Sequence, residues 1–177
     1  MADQRLETFR AVGRMLWEAG LVSSHGGNAS LRLPDGGLVV TRTGSMLGRL
    51  GEGDLVTVAA DGSAVGEPSM DTAVHRAVYE AMDAGAALHA HPRHAIALSL
   101  VSDGIEPADA EGKLRLGLVP VVEAEAVAAA LRESPIVVAR GHGSYARGSD
   151  LWQALQWTSV LEESAQVLWL LRSTGGR

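Results

Sequence analysis

Cysteine is absent from this chain of 177 residues. Its absence excludes a disulfide framework and a structural metal site closed by thiolates, and it is compatible with a reducing compartment. No stretch of the sequence approaches the ~20 consecutive apolar residues that a membrane-spanning helix requires. Charged residues also occupy the N-terminal positions where a secretory signal would be apolar. We therefore expect a cytoplasmic protein that does not enter a membrane.

Basic residues are few. The chain has 15 Lys and Arg against 21 Asp and Glu, which gives a formal net charge of −6. Because no cluster of Lys or Arg interrupts this acidic balance, we expect no nucleic-acid partner. Apolar residues make up 46% of the chain, enough to fold by burial without metal or disulfide cross-links. The length fits a single domain over residues 1–177.

Hydrophobic periodicity predicts helices and strands in mixed order. The predicted helices cover residues 6–19, 70–82, 92–100, 123–133 and 150–172. The predicted strands cover residues 29–33, 38–41, 86–91, 118–122 and 135–139, and the first two form a hairpin. Ser69 and Ser149 are the expected N-caps of the helices that follow them. Without a regular βαβ alternation, the pattern indicates one α/β domain whose sheet is covered by helices.

Three histidines form the most informative pattern. His89 and His91 end an apolar run, and residues two apart on a strand face the same way. His142 follows another apolar strand in a turn flanked by glycines. A lone H-x-H is more often a pair of core histidines bonded to backbone, but three imidazoles with an open fourth position are typical of catalytic zinc. The third histidine therefore favours a zinc site of His89, His91 and His142.

Small polar residues suggest a phosphate pocket in this acidic chain. Ser69 and the amide of Met70 stand at a predicted helix N-terminus, a common anion site. Asn28, Thr43 and Gly44 lie in loops that could add further donors. Taken singly, each of these residues is more simply part of a turn, so the interpretation depends on their joint order along the chain.

Asp71 is the candidate acid/base. A carboxylate beside a metal site can transfer a proton as a general acid or base. The simpler alternative is that Asp71, in the first turn of a predicted helix, only complements the helix dipole.

Five short motifs, in their order, resemble the class II aldolase/adducin superfamily, and within it the aldolases that act on fuculose 1-phosphate. They are Gly27-Asn28-Ala29-Ser30, Thr43-Gly44, Pro68-Ser69-Met70-Asp71, His89-Ala90-His91-Pro92 and Gly141-His142-Gly143. The resemblance extends over essentially the whole chain. It implies a three-layer α/β/α fold whose central sheet is mostly antiparallel.

The resemblance also implies a zinc-dependent aldolase, a lyase that splits a ketose 1-phosphate such as L-fuculose 1-phosphate into dihydroxyacetone phosphate and an aldehyde. By position, the three histidines fall on the zinc ligands, Asp71 on the acid/base, and Asn28, Thr43, Gly44 and Ser69 on the phosphate pocket. The family carboxylate is normally Glu, so Asp71 is one methylene shorter. Family aldolases also carry a Tyr near positions 114–116, where this chain has none.

Two other functions remain open on the sequence. Sugar-phosphate 4-epimerases and dehydratases of the superfamily would use the same metal and pocket. A non-catalytic, adducin-like interaction module would keep the fold but lose metal ligands, whereas this chain keeps three histidines and a carboxylate. Apolar residues on several faces of the last predicted helix fit either contacts between copies or the core of one domain. The superfamily's aldolases are cyclic tetramers, so the resemblance implies a homotetramer.

Overall fold

The protein is described by a computed structural model over residues 2–175, so the expected domain limits at 1 and 177 lie outside the described residues. The helices are α1 Ala2–Glu18, α2 Thr72–Ala81, α3 Arg93–Ser99, α4 Ala110–Arg115, α5 Val127–Ala130 and α6 Leu151–Ser173. The strands are β1 Asn28–Arg32, β2 Leu38–Thr41, β3 Leu55–Val58, β4 Ala86–Ala90, β5 Gly104–Ile105, β6 Val119–Val122, β7 Ile136–Ala139 and β8 Gly143–Gly148.

The eight strands form one sheet in the order β3-β2-β1-β4-β8-β7-β6-β5. Every neighbouring pair is antiparallel except β6 and β7, which run parallel. The central strands β4 and β7 are buried along their whole length, as expected for strands covered on both faces. The mostly antiparallel sheet confirms the expected fold class.

Two apolar cores lie on opposite faces of this sheet. The larger core joins one face to α1, α3 and α6, and includes Phe9, Leu98 and Leu161. The smaller core joins the other face to α2 and α5, and includes Val78 and Leu131. The layers are therefore helices, sheet and helices. No helix within residues 2–175 is long and apolar enough to cross a membrane.

Both expected helix caps are wrong by one or two residues. α2 begins at Thr72, so its N-cap is Asp71, while the Ser69 carbonyl accepts hydrogen bonds from the amide and hydroxyl of Thr72. The N-cap of α6 is Asp150, whose Oδ1 accepts a hydrogen bond from the backbone N–H of Gln153 at 2.8 Å. Ser149 lies one residue before this cap. At α6 the carboxylate accepts this bond more strongly than a hydroxyl would. At α2 the Asp71 side chain makes no such bond, and its charge favours the positive end of the helix.

Candidate metal centre and active site

The three histidines predicted as metal ligands meet at one end of the central strands. β4 carries His89 near its end and leads into His91, and the turn between β7 and β8 presents His142. One ring nitrogen from each lies within 4.8 Å of the other two. Gly141, at φ +68°, makes the tight turn that brings His142 back, a backbone conformation that glycine adopts without strain.

The rings are oriented as ligands would be. His89 Nδ1 lies 3.0 Å from the Ser144 carbonyl oxygen, which can only accept, so this nitrogen carries the proton. His89 Nε2 is then left with a lone pair, and it lies 3.0 Å from His91 Nε2. Two nitrogens bound tetrahedrally at ~2.0–2.1 Å stand about 3.3 Å apart. The donor set and its spacing therefore fit a divalent ion, and the Ser144 carbonyl fixes the His89 ring.

Two of these imidazole rings approach the backbone at position 143 so closely that only glycine fits there. A Cβ at this position would lie 2.8 Å from His89 Cε1 and 2.9 Å from His91 Cδ2. Both distances are below normal carbon contacts, so any side chain here would displace the imidazoles. The Gly141-His142-Gly143 motif thus combines a turn, one histidine of the cluster and a gap for the other two imidazoles.

Burial keeps the inner histidines neutral. Desolvation lowers the pKa of His89 to about 3, although the nearby Asp71 carboxylate opposes this shift. Burial, and then the proximity of His142, lower the pKa of His91. Neutral imidazole is the form that binds metal. These two side chains therefore need not lose a proton to become ligands near neutral pH.

Asp71 lies beside the imidazole cluster at the start of α2. Its Oδ2 accepts a hydrogen bond from Asn28 Nδ2 at 2.7 Å and from the Tyr145 hydroxyl at 3.2 Å, and it lies 3.8 Å from His89 Nε2. Burial would raise the pKa of Asp71, but the bond from Asn28 and the other surrounding groups outweigh it, so the pKa is lowered. The group is an ionised carboxylate at neutral pH.

Tyr145 was missed by the sequence reasoning, which noted only the lack of a tyrosine near positions 114–116. Its ring stacks on His89 with centroids 4.2 Å apart and planes 16° apart. Burial, and then the charge of Asp71, raise the pKa of Tyr145, so its hydroxyl remains a donor. Tyr145 could not be placed beside the histidines from the sequence, because β8, the strand on which it lies, was not predicted.

The residues predicted for phosphate line one cavity of about 220 Å³ that also reaches Asp71 and the three histidines. They are Asn28, Thr43, Gly44, Ser69 and Met70. Some of their hydrogen-bond donors are already bonded within the protein, and others are available to a ligand. The Asn28 amide nitrogen bonds Asp71, and the Thr43 backbone amide bonds the Glu67 carbonyl. Within residues 2–175, the amides of Gly44 and Met70 have no backbone or side-chain acceptor.

Two further residues with ionisable side chains line this cavity, and the sequence did not predict either of them as a site residue. Arg42 lines it from the loop after β2, and His25 lines it from the loop before β1. In the described part of the chain, the Arg42 guanidinium forms no ion pair. Neither residue stands in a motif that signals a site, which explains why only the folded arrangement reveals them.

Solved structures of known enzymes share this fold. L-fuculose-1-phosphate aldolase from Thermus thermophilus superposes with a TM-score of 0.91 and is 37% identical, covering 97% of this chain and 95% of that one. Among curated relatives, the L-fuculose phosphate aldolase of Methanocaldococcus jannaschii is 31% identical over 90% of this chain and 92% of its own length. The 3-oxo-tetronate 4-phosphate decarboxylase of Haemophilus influenzae is 30% identical over 91% and 85%.

A family model matches almost the whole described fold. The model, described as the class II aldolase and adducin N-terminal domain, covers residues 7–169. That span includes every histidine of the cluster, Asp71 and the residues of the cavity. The chain therefore belongs to the class II aldolase and adducin family.

Proposed function

We propose that this protein is a zinc-dependent aldolase that cleaves a ketose 1-phosphate, such as L-fuculose 1-phosphate, into dihydroxyacetone phosphate and an aldehyde. The observation that carries this proposal is the meeting of three imidazoles and one carboxylate at a cavity with small polar donors. Similarity to aldolases over nearly the full chain supports it.

His89, His91 and His142 would hold the metal. When bound, a divalent ion would act as a Lewis acid toward the carbonyl oxygen of the substrate. All-nitrogen ligation favours zinc over magnesium or calcium. His89 is fixed in the ligating orientation by the Ser144 carbonyl, so the fold orients at least this ligand before the ion arrives.

Asp71 would move the proton. Both hydrogen bonds to its side chain go to Oδ2, and Oδ1 has no partner within residues 2–175. The side chain is 23% exposed and lines the cavity. In condensation, Oδ1 would take a proton from the hydroxymethyl carbon beside the carbonyl of dihydroxyacetone phosphate. In cleavage, the ionised carboxylate would accept the proton of the hydroxyl beside the breaking carbon–carbon bond, directly or through water, and return it to the carbon that becomes the hydroxymethyl carbon.

The other end of the cavity would hold the phosphate. The amides of Gly44 and Met70 and the Thr43 hydroxyl are the donors we assign to its oxygens. The glycine at position 44 has φ +73°, a left-handed conformation of the kind found in anion-binding backbone turns. Arg42 at the same cavity adds a positive charge in a chain of net charge −6.

Proton exchange with solvent tests the proposal without knowledge of the aldehyde. Zinc-loaded protein should exchange one hydroxymethyl hydrogen of dihydroxyacetone phosphate for deuterium in D₂O, followed by proton NMR. Adding a panel of aldehydes that includes lactaldehyde should then give condensation products. No exchange and no product with any aldehyde, in protein shown to contain metal, would reject the aldolase proposal.

Replacing Asp71 should damage chemistry more than binding. We expect Asp71→Ala to lower kcat by about 10²–10⁴, the range typical of a positioned base, with a small change in KM. Steady-state cleavage and the deuterium exchange rate both measure this. The control is Asp83→Ala, at a fully exposed carboxylate remote from the cavity. If Asp71→Ala is as active as Asp83→Ala, another group transfers the proton.

A second candidate function is decarboxylation of a 3-oxo acid phosphate. Arg42 lines the cavity without an acidic partner in the described part of the chain, and could receive a second anionic group. The similarity to a 3-oxo-tetronate 4-phosphate decarboxylase supports this candidate. Release of carbon dioxide from a 3-oxo-tetronate phosphate, lost in Arg42→Gln, would favour it over aldol cleavage. An epimerase or dehydratase would instead isomerise or dehydrate its sugar phosphate.

A further inference from the structure

Asn28, His89 and Tyr145 form one row across three neighbouring strands. Asn28 of β1 is the register partner of His89 of β4, and His89 is in turn the partner of Tyr145 of β8. Cross-strand partners point to the same face and stand within side-chain contact. The middle member is a proposed metal ligand, and both outer members reach Asp71.

The two outer members converge on a single oxygen. Asn28 Nδ2 and the Tyr145 hydroxyl both donate to Asp71 Oδ2, from strands on opposite sides of β4, which carries His89. Bonds to an ionised acceptor are stronger and more directional than neutral ones. Two of them on one oxygen fix the rotation of the carboxylate, which leaves Oδ1 without either donor.

Tyr145 links this carboxylate to the imidazole cluster. Its ring stacks on His89 while its hydroxyl bonds Asp71. The side chain is buried, and it is not among the residues that line the cavity within the described part of the chain. Tyr145 is thus placed to act through Asp71 and His89, without contact to the substrate.

We propose that Tyr145 is a positioning residue that, together with Asn28, clamps Asp71 Oδ2 and holds the carboxylate at a fixed place relative to His89. This inference rests on the proposed role of Asp71 as the base. A single methylene joins the Asp71 carboxylate to the backbone, so the group has a short reach. Its productive geometry therefore depends on such a clamp. A displacement of about 1 Å at a reacting group can cost on the order of 100-fold in rate.

The decisive variant is Tyr145→Phe, which keeps the ring that stacks on His89 and removes only the hydroxyl. In the deuterium exchange and cleavage assays we expect kcat to fall about 10- to 100-fold, the equivalent of one bond to a charged group, with KM within about twofold. The matched control is Tyr79→Phe. Tyr79 is also buried on this side of the sheet, and its hydroxyl bonds Ser30 at 2.6 Å without touching Asp71. It should retain wild-type kcat.

Thermal unfolding of the metal-free protein gives a second readout that needs no activity. Tyr145→Phe should lower Tm by roughly 2–4 °C in the wild-type background, the shift expected for one such bond in a chain of this size. In an Asp71→Ala background the same substitution should leave Tm unchanged, because its acceptor is gone. A purely structural tyrosine would lower Tm equally in both backgrounds.

The outcomes separate this inference from the aldolase proposal. If the wild type exchanges deuterium and Tyr145→Phe matches Tyr79→Phe in kcat, the positioning role is overturned and the proposed function stands. If the wild type is inactive in every assay, the proposed function fails, and the unfolding cycle still decides whether Tyr145 and Asp71 are coupled. Equal Tm losses in both backgrounds would also overturn the clamp.

Discussion

The three imidazoles differ in how firmly the fold holds them, which leads to a prediction at His142. His89 is buried and bonded to Ser144, whereas His142 is exposed on a turn. We therefore expect His142→Ala to retain the fold and the metal-free Tm but to lose most bound zinc, since two imidazoles remain. Elemental analysis of protein purified without added metal measures this, with one zinc per chain expected in the wild type.

The control for this experiment is His25→Ala. His25 is exposed and lines the same cavity but is outside the imidazole cluster, so the variant should keep its zinc. Equal metal content in His142→Ala and the wild type would contradict the assignment of His142 as a ligand.

His75 should make the protein sensitive to mild acid. It is fully buried on α2 with Nδ1 bonded to Ser30, while Nε2 has no partner among residues 2–175, and burial lowers its pKa to about 4. Below pH 6.5 the His75 imidazole is protonated in the unfolded chain, whereas in the native state it becomes protonated only at about pH 4. Stability should therefore fall with decreasing pH through this window, by about 1.4 kcal/mol per unit and roughly 3 kcal/mol in all.

The comparison that isolates this effect is urea unfolding of metal-free wild type and His75→Gln at about pH 7.5 and about pH 5. Between these values the wild type should lose about 2 kcal/mol more than the variant, because glutamine does not titrate. Other acidic and histidine groups contribute equally to both proteins. Parallel losses would show that His75 is protonated in the native state.

At the residue scale, the sequence predicted which side chains lie together better than it predicted their hydrogen bonds. The spacing of His89 and His91 follows from strand periodicity alone, and the structure brings both together with His142. Asn28 was assigned to phosphate, yet its amide nitrogen is bonded to Asp71. That contact depends on where α2 crosses the sheet, which no local pattern encodes.

At the scale of elements, the start of α6 offers a direct stability test. The Asp150 carboxylate accepts from the Gln153 amide, and loss of such a cap costs about 1 kcal/mol. We expect Asp150→Ala to lower Tm by roughly 2–4 °C in a thermal melt followed by circular dichroism. Ser149→Ala, one residue outside the cap, should leave Tm unchanged. A loss of Tm in Ser149→Ala instead would restore Ser149 as the cap.

Several strongly patterned elements were predicted, whereas most weakly patterned ones were not. β2 matches its predicted bounds and β4 differs by one residue, because apolar runs bounded by turns are strong signals. β8 was missed although it is central. Its sequence, glycine at both ends with Ser144 and Ala146 buried between, carries no hydrophobic alternation, since small residues are required where helices pack closely on the sheet.

The prediction from sequence also failed for the short helices. The predicted helix over 123–133 is a 3₁₀ turn followed by only Val127–Ala130. α4 was missed because Gly112 interrupts its pattern, while its stability comes from the Asp109 cap, whose Oδ1 accepts from the Gly112 amide at 2.7 Å. Tertiary contacts and caps decide such elements, and propensity does not.

At the scale of the whole molecule, exposed apolar side chains concentrate on one helical layer. Trp152, Trp169, Leu170 and Leu171 of α6 are each about half exposed. Further large apolar side chains are exposed on or beside α1, α3 and α4, which pack on the same face of the sheet; they are Met15, Trp17, Leu100, Val101 and Leu114. A soluble monomer rarely exposes so much apolar surface in one layer, so we propose that this layer contacts other copies in a homotetramer.

Light scattering at micromolar concentration should give four times the chain mass of 18.5 kDa. Leu170→Glu introduces a charge at a 56% exposed position of α6, which a buried apolar interface would not tolerate. It should lower the mass while the circular dichroism spectrum stays unchanged. Val65→Glu is the control, because Val65 is even more exposed but lies away from this layer, and it should remain tetrameric. A wild-type mass near that of one chain would contradict the proposed tetramer and show that the apolar layer of α6 is exposed to solvent.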